Sequence, residues 1–537
     1  MAQWYTPERI KDEWTAGARF KEGIGERGVV AQAKMNERFY IGDQWHGVRC
    51  SGERPLVRYN IIKRIGEYKL AMIAAAPIAV RYLAEGEPMT RETQTQVEKM
   101  SDAIRAGENS EITDNIRRGV VTEAMGDYFR VTAERVGFDI LKETILRSAY
   151  IGGAGVLYTY WDERVSTGLY ADMSRTKPLR GDLRCEALNM TQVVFGDPSV
   201  ENIQEQPYIL ISQELTAGDV RREALRFGKR LKPDDLHVRE DDENVTVVTK
   251  FYKAWDAAGQ SCRVMMTKVC GDAVVRAPWD SMLRVYPLAK FDWERGGGCA
   301  YSDSEVTYLI PNQIAINRMM TASVWAMMLM GMPMMVVNGD VVTQPITNDP
   351  GQILKVFGTG EEVERAVRFV QPPAFSGAFA GTVNNLITHT LNQAGANDAA
   401  LGDMRPDNAA AIVALREAAT LPLQMLQNRF FAFCEDVARV WAEFWVRQYG
   451  KRSLKVEKNG EVWYVPFDGA EWEDLLLSVR VDVGPRALWS ETQNVRTLDN
   501  LFARGIITPS QYLERMPDGM IERPMDIARA EKDLSFS

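Results

Sequence analysis

One stretch constrains the fold more than any other. Residues Asn317 to Asp340 read NRMMTASVWAMMLMGMPMMVVNGD, with eight of the chain's 24 methionines and no charge between Arg318 and Asp340. The uncharged run approaches the length of a transmembrane helix, about 20 residues, but Gly331 and Pro333 cut it. A helix ending near Met330 leaves an uncharged part, from Met319, of roughly 18 Å against about 30 Å of hydrocarbon. No Lys/Arg cluster flanks it to orient a span. Met328, Met330, Met332 and Met334 alternate and offer thioethers to a soft metal such as Cu(I), yet no Cys or His stands nearby. The stretch therefore reads as an apolar, deformable helix that needs apolar neighbours, followed by a strand-like MMVV.

At 537 residues the chain is too long for one compact core and calls for roughly three or four structural units. Hydrophobic content of 45% with 26% charged residues describes a globular protein. A net charge of −9 and a pI near 5.3 disfavour a protein that grips nucleic acid by neutralising many phosphates. They do not exclude DNA that merely passes by. Cys50, Cys185, Cys262, Cys270, Cys299 and Cys434 form no CxxC, which fits structural thiols in a reducing cytoplasm. The start, MAQWYTPERIKDEW, carries charges where a signal peptide needs its apolar core, so a cytoplasmic site of synthesis and use is expected.

Along the chain, Thr6-Pro7-Glu8 opens a helix with a cap, a proline at the first position and an early acid, and helical pattern runs with breaks to about Tyr40. Gly42 to Trp45 turns, and a helix from about Asn60 to Ala75 stops before Pro77 and the strand-like IAVRYL. Ile112 to Tyr150 reads helical again. Gly152-Gly153-Ala154-Gly155 then leads into the strand VLYTYW, and Leu183 to Lys250 adds strands and a turn at Gly196-Asp197-Pro198.

Ser302-Asp303-Ser304-Glu305 is a capping-box pattern with Ser302 as cap, opening a helix to Met330 with a bend at Pro311. Strands are expected at Met334 to Val337, Ile353 to Phe357 and Val367 to Val370, then a helix from about Thr382 to Leu391. Gly395 to Asn408 is a polar loop. After it comes a helix of about forty residues interrupted only at Pro422, long for a compact enzyme. Asn459-Gly460 signals a hairpin, and LLLSVRVDV is expected to add its third strand. Two helices, Ser490 to Ala503 and Pro509 to Arg515, close the chain.

Residues able to carry chemistry are sparse. The glycines at 152 to 155 precede a strand, whereas a dinucleotide fingerprint needs them after one. Gly228-Lys229 and Gly450-Lys451 lack the rest of a Walker A loop. His46, His237 and His389 stand in no HExxH pattern, and no GxSxG elbow occurs. Glu240-Asp241-Asp242-Glu243, with Asp234 and Asp235 upstream, is the best carboxylate cluster for a divalent metal. A nuclease-like acid-x-Lys ending at Lys250 would need an acid where Val248 stands, so a solvated turn is the better account. No catalytic residue, cofactor or metal ligand is assigned, and the chain is expected not to be an enzyme.

The order of parts, and a set of short motifs in that order, resembles the portal proteins of tailed bacteriophages, the head-to-tail connector family. The motifs are Phe39 to Trp45 (FYIGDQW), Arg58-Tyr59-Asn60, Gly152 to Asp162, Asp197-Pro198, Pro311-Asn312-Gln313 with Ile316-Asn317, Val481 to Pro485, Leu498-Asp499 and Gly505-Ile506-Ile507. The resemblance covers most of the chain and lies in the order rather than in any single motif. It implies an α+β, multi-domain portal fold: an N-terminal wing (1–301), a first stem helix (302–331), a clip (332–375) and a second stem helix (376–394). A tunnel loop (395–408), a long helix with wing strands (409–485) and a helical crown (486–537) would complete it. One departure stands at the end of the loop, where many relatives have Ser-Gly after the asparagine and this chain has Asn408-Ala409-Ala410.

The resemblance further implies a homo-oligomeric ring, usually of twelve subunits, at one vertex of the capsid of a virion assembled in a bacterial cytoplasm. Its partners would be the major capsid and scaffolding proteins, the terminase large subunit, a head-tail adaptor and double-stranded DNA in the channel, with no membrane. The DNA-channel residues would be Asn397, Asp398, Asp403, Arg405, Asp407 and Asn408. Their mainly acidic character suits sliding, because each fixed phosphate contact adds salt-sensitive affinity. Stem packing would fall to Asn317, Met319, Met320, Met327, Met328 and Met330. Two alternatives remain: another ring-forming virion structural protein, and a metal-dependent nuclease of the packaging apparatus.

Overall fold

The computed structural model describes residues 6–48, 56–75, 78–84, 114–170, 178–238, 240–255, 262–331, 334–342, 344–347, 353, 355–370, 377–396, 409–458, 461–473, 477–482 and 498–514. The fold is α+β, with helices and several separate, antiparallel-paired sheets.

The described residues up to Gly152 are mostly helical. Helix α1 (Pro7–Glu22) is capped by Thr6, whose hydroxyl accepts from the Arg9 amide. Helix α2 (Val29–Ile41) ends at Gly42 in the left-handed region, and α3 (Ile61–Ala74) is capped by Asn60. After strand β1 (Ala79–Ala84) come α4 (Asp114–Val136) and α5 (Phe138–Gly152). Strand β2 (Ala154–Tyr170) then pairs on one side with β3 (Pro178–Asn189) and on the other with β9 (Leu288–Asp292).

A second sheet has the order β4 (Val193–Phe195), β5 (Tyr208–Thr216), β6 (Asn244–Trp255), β7 (Cys262–Cys270), β8 (Ala273–Asp280), with α6 (Ala217–Arg226) between β5 and β6. Between the two sheets lies an apolar layer that includes Val156, Tyr158, Phe195, Ile209, Phe251 and Tyr286. The alternation of buried and exposed residues at the start of β6 is that of a strand with one face inward.

Helix α1 lies on the second sheet, where Ile10 joins Val194, Leu210 and Val269. Near its end Lys21 is buried, with its ammonium donating to the carbonyls of Met190 at 2.9 Å and Thr191 at 3.2 Å. Burial lowers its pKa from 10.5 to about 7. Between those values the unfolded chain holds a proton that the folded one has released, so stability rises with pH across that window, by at most about 1.4 kcal/mol per pH unit. Lys21→Met should flatten that slope, measured by denaturant titrations from pH 7 to 10. An unchanged slope would mean Lys21 stays charged in the fold.

Helix α7 (Glu305–Gly331) leaves this body and leads to a two-stranded unit, β10 (Met334–Val337) with β11 (Val367–Val370), preceded by the short α8 (Gly360–Glu364). Helix α9 (Gly377–Gln393) then packs along α7. Helix α10 (Ala409–Gln448) contains Pro422 and builds the largest core. Phe430, Cys434, Val437, Trp441 and Trp445 recur at three- and four-residue spacing and are all fully buried. They meet Phe129, Phe138, Phe291 and Tyr82 from the other elements. The hairpin β12 (Lys451–Lys458) and β13 (Glu461–Asp468) follows in the register Lys458↔Glu461, as Asn459-Gly460 predicts. Strand β14 (Leu477–Asp482), a helical segment at 498–503 and α11 (Pro509–Glu514) complete the described chain.

Four local expectations are corrected. Ser302 does not cap α7, because Asp292 accepts its hydroxyl proton at 2.5 Å; Ser304 caps it instead, accepting from the Val306 amide. Glu305 therefore opens the helix and pairs with Lys69 at 2.6 Å rather than closing a capping box. The described residues of Ile353 to Phe357 are not a strand, and Ile353 and Phe357 are exposed. Strand β14 does not extend the β12–β13 hairpin; it pairs with β1, from Ala79↔Asp482 to Ala84↔Leu477. Finally, α9 begins at Gly377, before Thr382.

Candidate functional site

The methionine-rich stretch forms the distal half of α7 and the first strand beyond it. Its root is anchored: Val306, Leu309, Ile310 and Ile316 are buried in the main core. Beyond Asn317 no described residue of α7 is buried. Yet that segment carries one charge, Arg318, and is otherwise uncharged through to Asn338. Met327 is 58% exposed, Met328 and Met330 are exposed as well, and Met319 and Met320 are half-buried. Among the described residues of helix α9, Val383, Thr390 and Leu391 are buried, too little to cover α7 all round. At the far end Val341, Val342 and Ala366 make a small core, with Met335, Val336 and Phe357 left outside it. The result is an apolar projection that the described residues do not cover.

The remaining expected stem residue, Asn317, is 2% exposed and satisfied inside the chain. Its Nδ2 donates to Gln44 Oε1 at 2.6 Å, and its Oδ1 accepts from the Tyr59 amide at 3.1 Å and from Gln313 Nε2 at 2.9 Å. Gln313 also takes the Ile61 amide at 2.9 Å and gives a proton to the Tyr59 carbonyl at 2.6 Å. Trp45 Nε1 donates to the Val57 carbonyl, and Asn60 Nδ2 donates to the Tyr40 carbonyl. Motifs more than 250 positions apart thus meet at one buried polar node at the base of the projection. Neither Gln313 nor Thr321, whose Oγ1 accepts from the Val57 amide at 3.1 Å, was expected to act in this way; the available signal was their four-residue spacing from Asn317 along an otherwise apolar helix.

Gly395, at φ +70°, and Ala396 lead away from α9. Asn397, Asp398, Asp403, Arg405, Asp407 and Asn408 lie outside the described residues.

The other candidates are engaged elsewhere. Asp241 pairs with Arg221 and its carbonyl accepts from the Gly218 amide, while Asp235 accepts from the Lys232 amide at 2.7 Å. The acidic run is an exposed turn docked at the start of α6. Among the described residues no group of three His, Cys, Asp or Glu is placed to hold a metal ion, and no helix is long and apolar enough to cross a membrane. His46 faces Asp43 at 3.3 Å and His237 faces Asp272 at 3.7 Å, all on the surface. Burial raises the pKa of the Cys434 thiol, the opposite of what a reactive thiolate needs.

No protein-family model matches the chain, and no curated protein matches it. Among solved structures, it is similar to a chain in the neck of an empty gene transfer agent particle computed with C6 symmetry. That likeness has 11% identity over 84% of this chain and 88% of the other, at a TM-score of 0.33. It is also similar to a chain of the virion of a native gene transfer agent particle, with 10% identity over 92% of this chain and 96% of the other, at a TM-score of 0.37.

Proposed function

We propose that the chain is the subunit of a portal ring in a tailed-phage-like virion: a non-enzymatic channel at one capsid vertex through which DNA is packaged and ejected. The observation that carries this reading is the uncovered apolar projection. An apolar helix that leaves its own core and exposes Met327, Met328 and Met330 needs a partner surface. In a closed ring, each copy meets the next through a heterologous contact, so one projection covers its neighbour's on every subunit. The order of parts in the sequence supports the same reading, with α7 and α9 as the stem, the β10–β11 unit as the clip and the 395–408 loop facing DNA.

In this reading the ring has about twelve subunits, a number taken from the resemblance and governed by cyclic closure. It assembles in a bacterial cytoplasm with capsid and scaffolding proteins, and its clip receives the terminase large subunit and later a head-tail adaptor. Electron microscopy of the purified full-length chain tests it: rings with a central channel are expected. A monomer at every protein concentration and salt would overturn it. Magnesium-dependent DNA cleavage lost in Asp241→Ala would favour a nuclease instead.

A further inference from the structure

Residues 57–60 belong to no strand and lead into α3 at Ile61, yet alternate amides from Val57 to Ile61 are paired with side chains of α7. The amides of Val57, Tyr59 and Ile61 donate to Thr321 Oγ1 at 3.1 Å, Asn317 Oδ1 at 3.1 Å and Gln313 Oε1 at 2.9 Å. These acceptors stand four residues apart on one face of α7, and the donors stand two apart on the segment, running the opposite way. Beyond Tyr59 the chain turns at Asn60 (φ −77°, ψ 83°) and enters α3 at Ile61. On the carbonyl side, Val57 receives Trp45 Nε1 at 3.0 Å and Tyr59 receives Gln313 Nε2 at 2.6 Å.

We infer that Gln313, Asn317 and Thr321 form a cooperative latch, a side-chain ladder that holds segment 57–61 against α7 and fixes the root of the projection to the α2–α3 connection. Apolar contacts tolerate sliding, whereas hydrogen bonds require distance and angle together. A slip of α7 by half a turn, about 3 Å, would carry all three acceptors away from their donors at once. Two of the rungs, Gln313 and Asn317, are also joined to one another. Gln313 Nε2 donates to Asn317 Oδ1, and Asn317 Nδ2 donates to Gln44 Oε1, so losing the middle rung frees Gln313 and Gln44 directly, while the Thr321 rung is coupled to it through the shared segment between Val57 and Tyr59. The Ile61 amide is shared with the Tyr59 carbonyl at 2.9 Å, which makes Val57 and Tyr59 the cleaner reporters.

This inference is independent of the proposed channel role and holds for the full chain in any assembly state. Hydrogen exchange resolved to single amides tests it in two variants. Asn317→Leu should speed exchange at both Val57 and Tyr59 by roughly tenfold or more. It should also speed exchange in residues 319–328 of α7, while strands β5 and β6 stay as they are. Thr321→Val, at a half-buried site where folding is not at stake, should release Val57 alone, because it opens the ladder from its end. If Asn317→Leu releases Tyr59 without Val57 or α7, the bonds are independent and there is no latch. If Thr321→Val leaves Val57 protected, the outer rung does not exist in solution, and the inference fails even where Asn317→Leu cannot be purified.

Discussion

Gly153→Ala is expected to abolish folding, or to cost at least roughly 4 kcal/mol, whereas Gly152→Ala one position earlier should be tolerated. Gly153 adopts φ +91°, a conformation that L side chains rarely take, and a Cβ there would lie 2.0 Å from the Ser302 carbonyl oxygen. That oxygen belongs to backbone, which cannot swing aside as a flexible side chain would. The Gly153 amide caps α5 by donating to the Ala149 carbonyl at 2.8 Å, and its own carbonyl accepts from the Trp293 amide at 2.9 Å. The residue therefore joins helix, sheet and the approach to α7 at one point. Around Gly152 nothing lies within 4 Å of an added Cβ. Chemical denaturation of both variants provides the comparison. A Gly153→Ala protein within about 1 kcal/mol of the parent, a typical tolerated change, would show that Ser302 can move and that this junction is not fixed.

The same glycines illustrate what could be read from sequence. Their position before a strand argued against a nucleotide loop, and their actual task, close approach of backbone to backbone, leaves no mark beyond the glycine itself. Local signals were legible because their physics is local. The Thr6 cap, the turn that begins at Gly42 and the Asn459-Gly460 hairpin each depend on a few adjacent residues. The Ser302 box looked equally local and failed, because Asp292, brought beside it by β9, competes for the hydroxyl. Strand β14 was visible as a strand, but its partner β1 lies roughly four hundred residues earlier, and hydropathy alternation names no partner. The latch was invisible for a third reason: side-chain bonds to backbone produce no periodic hydrophobic pattern. Of the candidate site, the apolar helix and its termination near Gly331 were legible from the sequence, and its lack of cover became visible only once the packing was laid out. The loop residues Asn397 to Asn408 belong to the same reading but lie outside the described residues.

That lack of cover leads to the second large effect. A chain carrying Met327→Glu together with Met330→Glu should fold as the parent does, since both side chains are already exposed in the isolated subunit. It should nevertheless fail to form rings. If each projection is buried by a neighbour, every interface would have to desolvate carboxylates without partners, at a cost of several kcal/mol per interface. At about 1.4 kcal/mol per tenfold change, even 3 kcal/mol per contact shifts assembly by more than about a hundredfold in concentration, and a closed ring multiplies the loss over all its contacts. Met327→Leu with Met330→Leu keeps volume and apolarity and should assemble normally, a swap that typically costs under about 1.5 kcal/mol. Mass photometry across a concentration series, with unfolding curves to confirm equal subunit stability, reads both pairs. Rings from the glutamate pair at parental yield would mean that these methionines face solvent or the channel rather than a neighbour. The apolar stretch would then need an occupant other than a second copy of the chain.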